Sequence, residues 1–445
     1  MTVTAQVREG VTITEQLADY VLGLRYEDLP EQVVAKTKAL LAHHLGIALR
    51  DQTSREARLG TQFAALMGGT TGQHTVIGRR ERADLMDAVF ANSLLMLQGA
   101  RHDCVLPPNV NPGVAVQPAA WAVGEDVGAS GRKFLTAVVV GYDVMTRLHA
   151  PTWTWDLDVP RPAKWSVSPF GVAATVARLY GLSRERTVHA LGHAGQAGIG
   201  IYEGAAQHWM MHALAARGGV LAASLARAGF PASRTPVEGT HGLFESVFLQ
   251  AVPDAVMDNL ITLGDDFAIM RAETRKYPAG VLNGPPVKLL LQLLLANGIR
   301  SEDVARVDLV LPCAREAREA VYDTAEQRGP SWLLAAVLAD GCLDERRFDE
   351  PPDERRCAMR ERVRLRFEAD RPLRYARVEV TTTDGRQFEA EGDRVEVPPS
   401  DLRESLSAGT AAGLPIDRLV DLMQHLEDVP NVADVLACLR PEPTR

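Results

Sequence analysis

The sequence predicts a mainly α fold in which a mixed α/β segment interrupts a helical domain, and three observations predict it. From residue 13 to 268, apolar side chains recur at three- and four-residue spacing between Gly and Pro breaks, the period of an amphipathic helix. Between 269 and 397 the period falls to two in VARVDLVL and in both halves of ARVEVTTTDGRQFEAE, as on half-buried strands. From 398 to 445 the helical period returns in IDRLVDLMQHLEDV and VADVLACL.

The elements follow in chain order. TEQLADYVLGL, EQVVAKTKALLAHHLGIAL and DLMDAVFANSLLMLQ are successive amphipathic helices. SGRKFLTAVVVGYDVMTRLH starts at a Gly-Ala-Ser turn, where the Ser130 hydroxyl can accept N–H groups of the first helical turn. FGVAATVARLYGL and HALAARGGVLAASLARAGF carry Ala and Gly on several faces, which lets backbones approach and suits central helices of a bundle. Tyr180-Gly181-Leu182-Ser183 reads as a stop and restart, with Gly181 taking a left-handed cap and Ser183 opening the next helix. In the α/β segment, Asp384-Gly385 marks a hairpin with positive φ expected at both positions. DERRFDEPPDERRCAMRERVRLRFEADRPLR interleaves both charge signs and reads as a solvated helix and loop.

Composition narrows the function classes. The 445 residues suggest two or three domains, and 46% apolar with 24% charged residues is the balance of a globular chain. Net charge is −9, from 48 basic and 57 acidic residues, which argues against gripping nucleic acid or an anionic membrane and for a small-molecule partner. Cys104, Cys313, Cys342, Cys357 and Cys438 are scattered without a CxxC pair, so a reduced, cytoplasmic chain is expected. Residues 1–12 lack the basic and apolar regions of a secretory signal. The longest apolar stretch, LNGPPVKLLLQLLLANG, is broken by Pro285, Pro286 and Lys288 and falls short of the ~20 residues of a spanning helix.

Four stretches recur in a known order: NPGVAVQPAAWAVGE with GASGRKFLTAVVVGYDVMTRL; PFGVAATVARLYGLSRERTVHALGHAGQAGIG; GGVLAASLARAGFPASRTPVEGTHGLFES; and KYPAG before a helix. In these the chain resembles the MmgE/PrpD superfamily, which includes 2-methylcitrate dehydratase, cis-aconitate decarboxylase and iminodisuccinate epimerase. The resemblance implies a large all-helical domain formed by both chain ends (13–268 and 398–445) with an inserted smaller α/β lid domain (269–397). It also implies a homodimer, an active site between lid and helical domain, and no metal or organic cofactor.

Family members acting on di- and tricarboxylates use His, Lys and Asp to bind carboxylates and move the proton next to a carbonyl, work that needs groups titrating near neutrality. Their first cluster resembles Asn-Gly-x-x-x-His-x-x-Asp-x-Asp-Asp. Here Asn92-Ser93 is followed by Leu97, Ala100, His102 and Asp103, so of these later positions Asp103 keeps the family's residue. Asn111-Pro112-Gly113 stands for the family's His-Pro-Gly, and the next motif's His and Thr fall near Pro162 and Lys164. The family's lysine before the small-residue helix aligns with His208, and Lys276 of RKYPAGVLNG matches the lid lysine. The histidine expected after it falls among Asn283, Gly284 and Pro285.

These positions give the candidate site. Asp103 takes or directs the proton, His102 and His208 supply or return it, and Lys276 with Asn111 polarises the carbonyl. Three of the six tryptophans, Trp153, Trp155 and Trp165, fall in APTWTWDLDVPRPAKW and are substrate-binding candidates together with Tyr277 and Asn283. The imidazoles missing from the family motifs make the site look short of positive groups. His189/His193 and His208/His212 each place two imidazoles on one helix face, but without the Glu of H-E-x-x-H no metal is expected. The expected function is a remodelled, cofactor-independent MmgE/PrpD-type enzyme acting by proton transfer or substrate folding. It would be a lyase, isomerase or cyclase on a non-citrate, more apolar substrate in natural-product biosynthesis. The alternatives are a 2-methylcitrate dehydratase or cis-aconitate decarboxylase, and a non-catalytic ligand-binding paralogue.

Overall fold

The computed structural model describes residues 10–50, 52–68, 72–106, 108–149, 164–198, 208–312, 329–348, 350–368, 371–372, 374–393, 395, 401–407 and 413–441. The described residues divide into two compact units. The first is drawn from 1–98, 102–274 and 399–445, the second from 99–101 and 275–398. Mainly helical structure with one small mixed sheet is the architecture.

In the first unit the helices run α1 Ile13–Gly23, α2 Glu31–Arg50, α3 Arg55–Gly68, α4 Leu85–Met96, α5 Gly113–Val127, α6 Gly131–His149, α7 Lys164–Tyr180, α8 Arg184–Gln196, α9 His208–Arg227, α10 Leu243–Ser246 and α11 Asp254–Ile261, and the C-terminal part of the same unit adds Leu402–Leu406, Ile416–Gln424 and Ala433–Ala437. Two short antiparallel pairs join them: β1 His74–Thr75 with β2 Arg82–Ala83, and β3 Cys104–Val105 with β4 Ala272–Glu273. Caps are built as the sequence suggests. Thr12 and Glu15 form a reciprocal capping box on α1, and Ser130 Oγ accepts from Lys133 N at 3.4 Å. Gly181 takes φ 65°, and Ser183 caps α8. In contrast with its amphipathic reading, α4 is buried almost all round, Asp87, Asn92 and Ser93 included, because neighbours cover every face.

Close backbone approach holds α6 on α7. A Cβ on Gly141 would lie 2.1 Å from Thr175 Oγ1, and one on Gly171 would lie 2.6 Å from the Gly141 carbonyl oxygen. Next to this crossing, Asp143 is fully buried and accepts from Ala268 N at 2.6 Å and from the Tyr20 hydroxyl. Burial pushes its carboxyl up to about 6, although Arg147 and both hydrogen bonds act the other way.

The second unit orders its sheet β6-β5-β7-β8, from β5 Val304–Pro312, β6 Val363–Glu368, β7 Ala376–Thr382 and β8 Gln387–Gly392. β5 pairs parallel with β6 and antiparallel with β7, which pairs antiparallel with β8. Its core is filled by Val287 and Leu290 of α12 (Gly280–Ala296), Leu334 of α13 (Pro330–Asp340), and Val307, Leu309 and Val378 of the sheet.

Two sequence expectations need correcting here. Within the charge-dense stretch, VRLRFE is the strand β6, and Arg356 of α14 (Glu354–Arg360) is 2% exposed, its Nε donating to Asp340 Oδ2 at 2.9 Å. Such a buried guanidinium needs a fixed carboxylate partner, which charge patterning alone does not identify. At the hairpin Gly385 takes φ 86°, whereas Asp384 is not in the positive-φ region. Gly385 N donates to Thr382 O at 3.0 Å and Thr382 N to Arg386 O at 2.9 Å, so the chain turns through a three-residue loop with glycine at the left-handed position.

Candidate active site

Asp103 stands just before β3. The chain returns through Asn109, which takes φ 67° and whose N–H donates to Val105 O at 2.8 Å. This turn delivers Asn111-Pro112-Gly113 to the start of α5 beside Asp103. Gly113 N donates to Asp103 Oδ1 at 3.1 Å, and Asn111 Nδ2 donates to the Asp103 carbonyl at 2.7 Å. Glycine is required at 113: a Cβ there would lie 2.3 Å from His44 Cε1 and 2.7 Å from Asp103 Oδ1.

Around this carboxylate three helices supply polar side chains from their buried faces. His44 of α2 places Nε2 3.3 Å from Asp103 Oδ1 and Nδ1 2.9 Å from the Leu40 carbonyl. Tyr142 of α6 donates its hydroxyl to Asp103 Oδ2 at 2.7 Å, and Gln117 of α5 donates to the Tyr142 oxygen at 2.9 Å. All four side chains are fully buried. Burial alone would raise the Asp103 carboxyl, but the His44 charge and the hydrogen bonds from His44, Tyr142 and Gly113 hold it below its ordinary value. Burial and then the adjacent Asp103 charge push the Tyr142 phenol well above its ordinary value. Asp103 is therefore an ionised carboxylate with both oxygens engaged, and Tyr142 keeps its proton.

Beyond Asn111 the site continues into α7 and α9. Lys164 Nζ donates to Asn111 Oδ1 at 2.5 Å and lies 5.6 Å from the Trp165 ring centroid. The buried Trp165 ring meets the His212 ring edge-on at 5.8 Å, and His212 lies 6.1 Å from the buried His102 ring. His149, buried at the end of α6, is pushed down to about 3 by burial and then by the Lys164 charge, so it is neutral. Half-buried Lys36 of α2 has its ammonium pulled down by burial, while Asp103 and Glu273 act to raise it.

A model of the MmgE/PrpD N-terminal domain matches residues 15–255. The chain belongs to the MmgE/PrpD family. Over 267 residues it is 28% identical to the cis-aconitate decarboxylase-like protein oryM of Aspergillus oryzae, covering 56% of this chain and about half, 54%, of that relative. It is 23% identical to cis-aconitate decarboxylase of Homo sapiens over 96% of this chain and 95% of that enzyme. The Mus musculus enzyme gives 23%, over 96% and 93%. In coarse terms the chain is an enzyme of this family. Among the described residues no helix is long and apolar enough to cross a membrane.

The MmgE/PrpD helical unit brings together four of the sequence candidates: His102, Asp103, Asn111 and Trp165. His208 opens α9, but its side chain lies outside the described residues, as do Trp153 and Trp155. Lys276, Tyr277 and Asn283 belong to the second unit. There Lys276 is exposed, its carbonyl accepts from Arg101 Nη1 at 2.7 Å, and its ammonium lies 5.7 Å from the Tyr277 ring centroid; Asn283 is half-buried in the first turn of α12. His189 and His193 face the carbonyls of Ala232 and Phe230, each at 3.1 Å, and so pin the loop after α9.

Sequence reasoning missed His44, Gln117 and Tyr142 as site residues, and did not place Lys36, Lys164 or His212 there. The available signal for the first three was a polar side chain repeated on an otherwise apolar helical face. With Lys164 one hydrogen bond from Asn111 and Lys36 in the field of Asp103, the site is not short of cations, as the missing imidazoles had suggested.

Proposed function

We propose that this MmgE/PrpD enzyme is a cofactor-independent lyase or isomerase that moves a proton at carbon next to a carbonyl or carboxyl group of a substrate more apolar than citrate. The observation that carries this reading is the buried imidazole pair His102 and His212 against Trp165, beside a fixed carboxylate. Asp103, with both oxygens engaged, acts as a positioning residue that holds the His102 segment and Asn111 in place. An imidazole can accept and return a proton through a ring nitrogen, which suits the pair to remove and return the substrate proton. Trp165 offers apolar area to the substrate body. The resemblance adds His208 as a second proton carrier and Lys276 as a carbonyl polariser.

A second reading, cis-aconitate decarboxylase, is favoured by the nearly full-length match to the human and mouse enzymes. One experiment separates the two. The protein is incubated in D2O, with chelator, with cis-aconitate, 2-methylcitrate and a panel of unsaturated monocarboxylates, and exchange or turnover is followed by NMR. Deuterium entering the monocarboxylates is the expected result. Faster turnover of cis-aconitate would replace the first reading with the second.

A further inference from the structure

We infer that Gln98 is a specificity-determining residue whose buried side-chain amide takes a neutral carboxamide group of the substrate through a pair of hydrogen bonds. This inference deepens the proton-transfer reading above and rests on it. Gln98 follows Leu97, which stands where the family motif keeps a histidine, and occupies a position that the motif leaves open.

Gln98 is 3% exposed, and neither its Oε1 nor its Nε2 has a hydrogen-bond partner. Among the described residues it is the one amide side chain buried with both atoms unpartnered. The polar residues just before it are satisfied. Asn92 Oδ1 accepts from Ile77 N at 2.9 Å while its Nδ2 donates to Thr75 O at 2.8 Å, and Ser93 Oγ donates to Val114 O at 2.6 Å. Gln16, Gln52 and Gln117 each leave a buried oxygen unpartnered, but all three donate through Nε2. Taking a whole amide out of water without partners is costly, and a leucine would fill similar space at no such cost. A rule of the core broken at one position, beside residues that keep it, points to a ligand that supplies the partners.

The place of Gln98 ties it to the imidazole pair. It opens the short turn after α4, and Gly99 and Ala100, with φ 61° and 50°, lead the chain on to His102, whose ring lies 6.1 Å from that of His212. α4 packs along α9, the helix that carries His212. Four residues span at most about 14 Å, close enough for one small molecule to meet both side chains. The chemistry of the amide then selects the group. Its carboxyl-type oxygen accepts and its nitrogen donates. A carboxylate would satisfy Nε2 but set a negative charge against Oε1, and an ester or ketone would leave Oε1 unpaired. A carboxamide offers the complementary donor and acceptor, so both atoms are met and no charge is buried. Such a group also suits a substrate less charged than citrate.

Calorimetry on the full chain tests binding, without turnover, with three probes on one carbon skeleton: fumaramate, which carries the carboxamide; monomethyl fumarate, which lacks the donor; and fumarate, which carries a second carboxylate. Wild type should bind fumaramate at least about 10-fold more tightly than either of the others, because a site built around a hydrogen-bonding pair rejects analogues that leave it unpaired. Gln98→Leu should bring fumaramate to within about 3-fold of monomethyl fumarate. The same variant should raise the urea midpoint of the ligand-free protein, since it removes an unpartnered buried amide; an amide bonded within the fold would give the opposite shift. Gln98→Met carries both readouts should the branched side chain not pack. No binding of fumaramate, no preference for it in wild type, a preference kept in the variants, or a midpoint lowered in both variants overturns the role of Gln98. If binding and stability behave as expected but no probe exchanges deuterium, Gln98 keeps its role and the proton-transfer reading falls. Exchange in wild type without the carboxamide preference gives the reverse.

Discussion

Asp143 and His149 lie on one helix, both buried, and drive the pH dependence of stability in opposite directions. Folded Asp143 titrates at about 6 against an ordinary 3.8, so between pH 4 and 6 the folded protein holds a proton that the unfolded chain has lost. Stability then falls as pH rises through that window, by about 1.4 kcal/mol per unit and about 3 kcal/mol in all. Folded His149 titrates at about 3 against an ordinary 6.5, so here the unfolded chain holds the extra proton. Stability rises with pH from about 3 to 6.5 at the same rate per unit. Between pH 4 and 6 the two contributions cancel, and carboxylates held low, such as Asp103, act below that window. Wild type should therefore be nearly flat there. Asp143→Asn should become more stable by about 3 kcal/mol from pH 4 to 6, and His149→Phe should lose a similar amount over the same range. Urea unfolding at pH 4, 5 and 6 measures each slope, whatever the absolute stability of the variant. Parallel profiles for all three proteins would refute the assignment of these two groups.

Four further outcomes are expected. Gly113→Ala drives a methyl group into His44 and Asp103 and should cost about 3 kcal/mol, seen as a lowered urea midpoint with the m-value kept. Tyr142→Phe removes the donor to Asp103 Oδ2 and should cost about 2 kcal/mol, while the acid limb of the exchange-rate profile moves to higher pH as Asp103 becomes easier to protonate. His212→Ala should lower the deuterium exchange rate by about 10²–10⁴ with the urea midpoint changed far less. The homodimer implied by the resemblance should give a light-scattering mass of twice 48.4 kDa; a single-chain mass would remove that proposal.

The helical period, the Gly181-Ser183 restart and the β7–β8 hairpin were legible in the sequence because each is decided by residues close together in the chain. The strand β6 was not, since its alternating arginines read as charge patterning until β5 supplies a parallel partner. The same distinction governs the site. Asp103 was legible as the residue retained from a family motif, but His44 and Tyr142 lie on helices whose period marks them as core, and they become site residues through contacts made 59 and 39 positions away. Reading departures from the family pattern one at a time also hides their connection. Asn111 in place of a histidine and Lys164 near the place of a threonine each look like a lost function, yet the two side chains share a 2.5 Å hydrogen bond. Neither replacement has the same meaning without the other: Asn111 gives the ammonium a fixed neutral acceptor, and Lys164 gives the amide a donor that a backbone turn alone would not provide. An Asn111→His change in this chain should therefore not restore the family's chemistry. It would set an imidazole against the Lys164 ammonium and free the Asp103 carbonyl from its amide donor. Its deuterium exchange rate should fall, and the double variant Asn111→His, Lys164→Thr should recover part of the loss; a double-variant loss equal to the summed losses of Asn111→His and Lys164→Thr alone would show that the pair is not coupled.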